Sequence, residues 1–154
     1  MSLFLVRHAK AGKRKEWDGD DTLRPLDKIG RLQAEAIALR LSGKSPTALY
    51  SSRYLRCVQT LEPLGEHLGQ TVTIDDHLTE GADWRATIEW MTTLHDGAVL
   101  CSHGDVIPDV ISALERRGMH IAGDPDWRKA TVWVLERDGD TFAKGKVWSP
   151  PSVR

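Results

Sequence analysis

Two short runs of wholly apolar residues constrain this chain more than any other feature: Leu3-Phe4-Leu5-Val6 and Ala98-Val99-Leu100-Cys101. Neither alternates with polar residues, so neither suits a strand with one wet face. Both are too short for a helix and are bounded by turn signals, so they read as strands buried on both faces of a parallel sheet. Parallel strands need crossover helices, which then cover the sheet on two sides. Each run also ends in a histidine: Arg7-His8 follows the first, and Ser102-His103-Gly104 the second. In open α/β sheets the ligand crevice lies just outside the carboxyl ends of the strands. His8 and His103, distant in sequence, therefore meet in one crevice together with Arg7.

The crossovers are legible. Asp27 is an N-cap for a helix to about Leu41, stopped by Gly43. Ile29, Leu32, Ala36 and Leu39 recur at helical spacing as its inward face, and Gly30, Ala34 and Ala38 form a small-residue row for close approach to the sheet. Ala48–Ser51 reads as a strand, and Ser52 as the cap of a helix to about Leu68, weakened at Pro63 and ended by Gly69. Thr71–Ile74 is a strand, Asp83–Leu94 a helix with Ile88 and Met91 inward, and Ile107–Arg116 another helix. Thr131–Glu136 and Thr141–Trp148 flank Asp138-Gly139-Asp140, a hairpin signal. The expected fold is a three-layer α/β/α sandwich, with a mainly parallel sheet and an antiparallel hairpin at one edge.

At 154 residues, without repeats or composition breaks, residues 1–154 read as one domain without a lid or insertion domain. A formal net charge of −1 gives no global field to attract nucleic acid or an anionic membrane. No apolar stretch is long enough to span a bilayer, and no signal peptide opens the chain, so a cytoplasmic monomer is expected. The two cysteines, Cys57 and Cys101, lack metal or redox spacing and read as small buried residues. His67, His77, His95 and His120 show no ligand spacing either, so no metal or other cofactor is expected.

Chemistry concentrates at the strand ends. Arg7-His8 opens a long loop carrying Lys10, Lys13, Arg14 and Lys15. Arg56, in Ser52-Arg53-Tyr54-Leu55-Arg56-Cys57-Val58-Gln59-Thr60, falls near a helix start, where its planar fork and the helix N–H groups suit phosphate oxygens. Gly104 allows a tight turn and close backbone approach beside His103. Lys10, Lys13 and Arg14 are candidate substrate-binding residues, and Trp17 a candidate platform for a nucleobase. Trp90, Trp133 and Trp148 belong to the core or its margin.

These motifs carry a resemblance. Leu5-Val6-Arg7-His8-Ala9, Ser52 through Thr60, and Ser102-His103-Gly104 resemble, in order and spacing, the signature of the histidine phosphatase (phosphoglycerate mutase-like) superfamily. Arg24-Pro25-Leu26-Asp27-Lys28-Ile29-Gly30-Arg31 is similar to a segment of its compact SixA-like branch, named for phosphohistidine phosphatases. The same region resembles the phosphatase-like domain of some MutT-type Nudix proteins. The resemblance implies a metal-independent phosphatase in which His8 takes the phosphoryl group and water hydrolyses the intermediate. Arg7, Arg56 and a protonated His103 would neutralise the transferring oxygens, and Glu80 would act as general acid and base, with Asp105 a competitor. Ala9 departs from the common glycine, and its methyl is expected to crowd the loop slightly. The substrate implied first is a phosphohistidine protein. Alternatives are a nucleotide or other small phosphomonoester, or a catalytically silent partner domain of a Nudix-type pathway.

Overall fold

The computed structural model describes residues 1–153. Seven strands, β1 (Ser2–Arg7), β2 (Ala48–Ser51), β3 (Val72–Ile74), β4 (Ala98–Ser102), β5 (His120–Ile121), β6 (Val132–Asp138) and β7 (Thr141–Trp148), form one sheet in the order β3-β2-β4-β1-β6-β7-β5. Pairings among β3, β2, β4 and β1 are parallel, while β6 runs antiparallel to both β1 and β7. The hairpin is therefore not the sheet's edge. Two-residue β5 adds to β7 in parallel outside it, too short to leave a periodic signal in the sequence.

Helices α1 (Lys28–Ser42), α2 (Leu55–Leu68), α3 (Trp84–Thr92) and α4 (Val106–Arg116) make the crossovers. The apolar strands alternate between two cores, which is why they lack polar residues. Leu3, Leu5, Ala98, Leu100, Trp133 and Leu135 face α3 and α4, whereas Phe4, Val6, Val99, Cys101 and Val132 face α1 and α2. Each large side chain so buried is worth about 1.5–3 kcal/mol. None of the helices among the described residues is long and apolar enough to cross a membrane.

Three local expectations need correction. The buried face of α1 is Gly30, Ala34, Ile37, Ala38 and Leu41, while Leu39 is 67% exposed. The small-residue row lets α1 lie so close to its neighbours that Ile29, Leu32 and Ala36 are left at the margin. Helix α2 starts at Leu55 after Tyr54, which makes no side-chain cap, and it runs through Pro63 to Gly69 in the left-handed region. Ser52 is not its cap. Ala9 does not crowd its loop: it is fully buried in the α1/α2 core and its N–H donates to Thr60 Oγ1 at 2.9 Å.

Close approach at α1 positions the loop after β1. A Cβ on Gly30 would stand 1.8 Å from the carbonyl oxygen of Lys10. Lys10 O accepts from Asp27 N, Lys10 N donates to Gln33 Oε1, and Ala11 bridges to Leu26. Gly30→Ala should therefore push this loop away and destabilise the protein by about 1–3 kcal/mol. Gly43→Ala, where the nearest atom is 3.7 Å away and φ is −74°, should cost nothing. Equilibrium urea unfolding of the two variants checks this, and equal midpoints would contradict it.

Candidate active site

The ends of β1 and β4 are fixed side by side, with Arg7 opposite Ser102 in register and His8 N–H donating to Ser102 O at 3.1 Å. Both histidines leave the sheet there and turn into a cavity of about 510 Å³. Their rings stand edge to face with centroids 5.6 Å apart.

His8 is 5% exposed, and its Nδ1 lies 2.8 Å from the carbonyl oxygen of Ala9. A carbonyl only accepts, so Nδ1 carries the proton and Nε2 keeps its lone pair. Burial lowers the His8 pKa to about 3; the bond to Ala9 opposes the shift, and His103, Arg56 and Arg7 push with it. The imidazole is thus neutral, with one nitrogen available to a phosphorus atom.

His103, also buried, places Nε2 2.8 Å from Ser52 Oγ, and its ring meets Tyr54 edge to face at 4.7 Å. Ser52, which the sequence pattern offers as a helix cap, instead orients this histidine. Its hydroxyl also accepts from Tyr54 N at 3.3 Å. Cys57 Sγ lies 3.6 Å from the same Nε2, and both cysteines are buried and free.

Two arginines flank the histidines. Arg7 donates NH1 to Trp127 O at 2.5 Å, and its guanidinium lies against Gly104, where a Cβ would come within 2.6 Å of Cζ. That contact is the physical reason for glycine after His103. Arg56, second residue of α2 and 1% exposed, is held by Asp21 O at 3.0 Å, Asp21 Oδ2 at 3.2 Å and Glu80 Oε2 at 3.3 Å. The Nε atoms of both arginines are buried without a partner. Both side chains line the cavity, and a guanidinium there suits an oxyanion.

Glu80 and Asp105 both border the cavity. Glu80 reaches Arg56 and also Arg14, at 3.2 Å, while Asp105 Oδ2 accepts the Gly81 N–H at 2.8 Å. Asp105 thus latches the turn that presents Glu80, and the buried Ser102 hydroxyl holds the same segment through Leu78 O at 2.7 Å.

Of the basic loop, Lys10, Lys13 and Arg14 line the cavity, and Trp17 does not. Its indole N–H donates to Asp20 O at 2.9 Å, bracing the loop instead. Sequence reasoning missed Arg24 and Lys129 in the wall, and Asp21 behind it. Arg24 is buried, bonded to Asp21 Oδ1 at 2.9 Å and to Gly12 O. Lys129 arrives from the 122–131 segment, where no periodicity marks it. The next residue, Ala130, is buried at φ +66°, a conformation costing a non-glycine residue about 1–3 kcal/mol. Its N–H donates to the carbonyls of Arg7 and His8, at 3.2 and 3.1 Å, which fastens this segment to the end of β1.

Comparison with known proteins identifies the family and the fold. Residues 3–86, more than half of the chain, match the family model of the histidine phosphatase superfamily (branch 1). The chain is 35% identical over 159 residues to an 8-oxo-(d)GTP phosphatase of Mycolicibacterium smegmatis, covering 99% of this chain and 49% of that protein. It is 36% identical over 89 residues to a glucosyl-3-phosphoglycerate phosphatase of Mycolicibacterium vanbaalenii, covering 54% of this chain and 38% of that protein. The chain therefore spans half the length of these curated relatives or less. Among solved structures, the protein histidine phosphatase SixA complexed with tungstate superposes with a TM-score of 0.76 at 20% identity, over 97% of this chain and 95% of that one. The fold is shared, and the chain belongs to the histidine phosphatase superfamily, branch 1.

Proposed function

We propose that this chain is a phosphohydrolase that works through a phosphoryl group carried on His8. The observation that carries the proposal is the Nδ1 bond from His8 to Ala9 O, 2.8 Å, which leaves Nε2 as the free nucleophile. Nε2 attacks phosphorus, the bond from phosphorus to the leaving oxygen breaks, and water then attacks phospho-His8 to release phosphate. Such transfers require positioning and charge neutralisation above all. The guanidinium groups of Arg7 and Arg56, which line the cavity, supply both. His103, oriented by Ser52, stands beside the nucleophile, its ring centroid 5.6 Å from that of His8. A silent binding domain would have no need to keep His8, Arg7, Arg56 and His103 together in one cavity.

Substrate class is part of the proposal. The 8-oxo-(d)GTP phosphatase, alike over nearly the whole of this chain, supports a nucleotide or similar small phosphate compound. Phosphohistidine on a protein is the second reading, and it draws on the compact fold without inserted subdomains among the described residues. Reaction with a panel of GDP, a sugar phosphate and a phosphohistidine peptide should give an acid-labile, alkali-stable phosphoprotein with the true substrate. His8→Asn should abolish the label and lower turnover at least 10³-fold. Undiminished turnover in that variant would remove His8 as nucleophile. Because its pKa is lowered to about 3, His8 stays unprotonated throughout the neutral range, so its titration should produce no rise in kcat/KM between pH 5.5 and 7.5.

Glu80 is proposed as the acid and Asp105 as a support for its turn, since Asp105 is occupied by the Gly81 N–H. Protonation matters most for poor leaving groups. Glu80→Gln should therefore slow an alkyl phosphate by about 10²-fold and p-nitrophenyl phosphate far less. Asp105→Asn should slow the two alike. The reverse pattern would exchange the two roles.

A further inference from the structure

The cavity holds more positive charge than one phosphate can use. Four arginines and three lysines border it, against the two carboxylates of Glu80 and Asp105. Asp21 and Asp27 pair with wall cations from behind, which still leaves seven positive charges against four negative. A phosphate monoester brings about −1.5 to −2. The surplus can be located. Lys10 has Asp27, Arg14 has Glu80 and Asp21, and Arg24 and Arg56 share Asp21. Arg7, Lys13 and Lys129 form no ion pair among the described residues.

Arg7 belongs with Arg56 at the transferring group, beside His8. Lys129 is the half-buried remainder, delivered by the Ala130 turn that is fastened to the carbonyls of Arg7 and His8. An ammonium placed there is among like charges. Burial lowers its pKa, and Arg7, Arg24 and Arg56 add to the effect, with Asp27 opposing. An anion arriving beside it would relieve both burdens.

We infer that Lys129, with Lys13 across the basic loop, forms a subsite for a second phosphate adjoining the one transferred to His8, so that the site prefers a terminal phosphoryl group on a phosphoanhydride. The inference rests on the phosphohydrolase reading and narrows its substrate class. In the step it implies, His8 Nε2 bonds to the terminal phosphorus, and the bond to the bridging oxygen breaks. That oxygen leaves with the electron pair as part of the shortened phosphate compound. Its negative charge develops beside Lys129, so this leaving group needs no proton. Water then attacks phospho-His8, giving inorganic phosphate, restoring the neutral imidazole and releasing one proton. A phosphohistidine substrate has no second phosphate and would leave Lys129 without a partner.

Two readouts test this. In the His8→Asn background, calorimetry should show inorganic pyrophosphate binding at least tenfold more tightly than inorganic phosphate. Adding Lys129→Met or Lys129→Gln should remove most of that difference, while Lys144→Met, at an exposed position of β7, should preserve it. In the otherwise native chain, kcat/KM for GDP should exceed that for GMP at least tenfold, and the Lys129 variants should collapse the ratio. Thermal melting confirms that each variant is folded. Pyrophosphate binding no tighter than phosphate would overturn the subsite. So would equal weakening of both anions by Lys129→Met, which would assign the lysine to the transferred group. A phosphohistidine peptide turned over faster than GDP would overturn the preference. Failure to form a phosphoprotein with any substrate would defeat the hydrolase reading by itself, because the two binding measurements would still decide the subsite.

Discussion

Everything at this site depends on the parallel pairing of β1 with β4, Phe4 opposite Val99 through Arg7 opposite Ser102. Both strands are buried on both faces, so a slip of one residue would exchange the two cores and could not be absorbed. That fixed register puts the last residue of each strand at the same height. His8 and His103 then enter the cavity as neighbours, although the chain between them makes three α-helices and three strands. The last link is made by the His8 N–H on Ser102 O, which extends the ladder to the proposed nucleophile.

From this frame the electrostatics follow. The cavity is cationic because carboxylates brace three of its arginines, Arg14, Arg24 and Arg56, while Arg7 has no ion pair among the described residues. Asp21 holds Arg14, Arg24 and Arg56, while burial works against its charge and the three guanidinium groups favour it, leaving its pKa lowered. Glu80 adds a second brace to Arg14 and Arg56. Fixed in this way, the guanidinium groups need little reorganisation when an oxyanion arrives. The neutral His8 is a product of the same surroundings, because a buried imidazole among positive groups does not take up a proton.

The sequence was most legible where local chemistry and tertiary role coincide. Unbroken apolar runs gave β1 and β4, and a histidine at the end of each gave the crevice. Arg56 was readable because a strand, a turn and a helix start lie within a few residues of it. Legibility failed where the role depends on a distant partner. Nothing near Ser52 says that its hydroxyl will meet His103, and its local setting favours a cap. Lys129 lies in a stretch of Gly, Asp and Pro without periodicity, and enters the cavity only because Ala130 bonds to carbonyls about 120 residues earlier in the chain. The face of α1 was misplaced for a related reason. Periodicity weights large apolar residues, whereas the contact with the Lys10 carbonyl required the smallest one, Gly30.

The claim on which the rest turns is that His8 is held neutral, with its proton on Nδ1 and its lone pair on Nε2. Nitrogen-15 NMR of the labelled imidazole reads both properties in the resting protein. The expected spectrum shows a protonated Nδ1 and an unprotonated Nε2 for His8 at pH 7, unchanged down to about pH 4, because burial lowers its pKa to about 3. A His8 that titrates near its ordinary value of about 6.5, or one that carries its proton on Nε2, would contradict it.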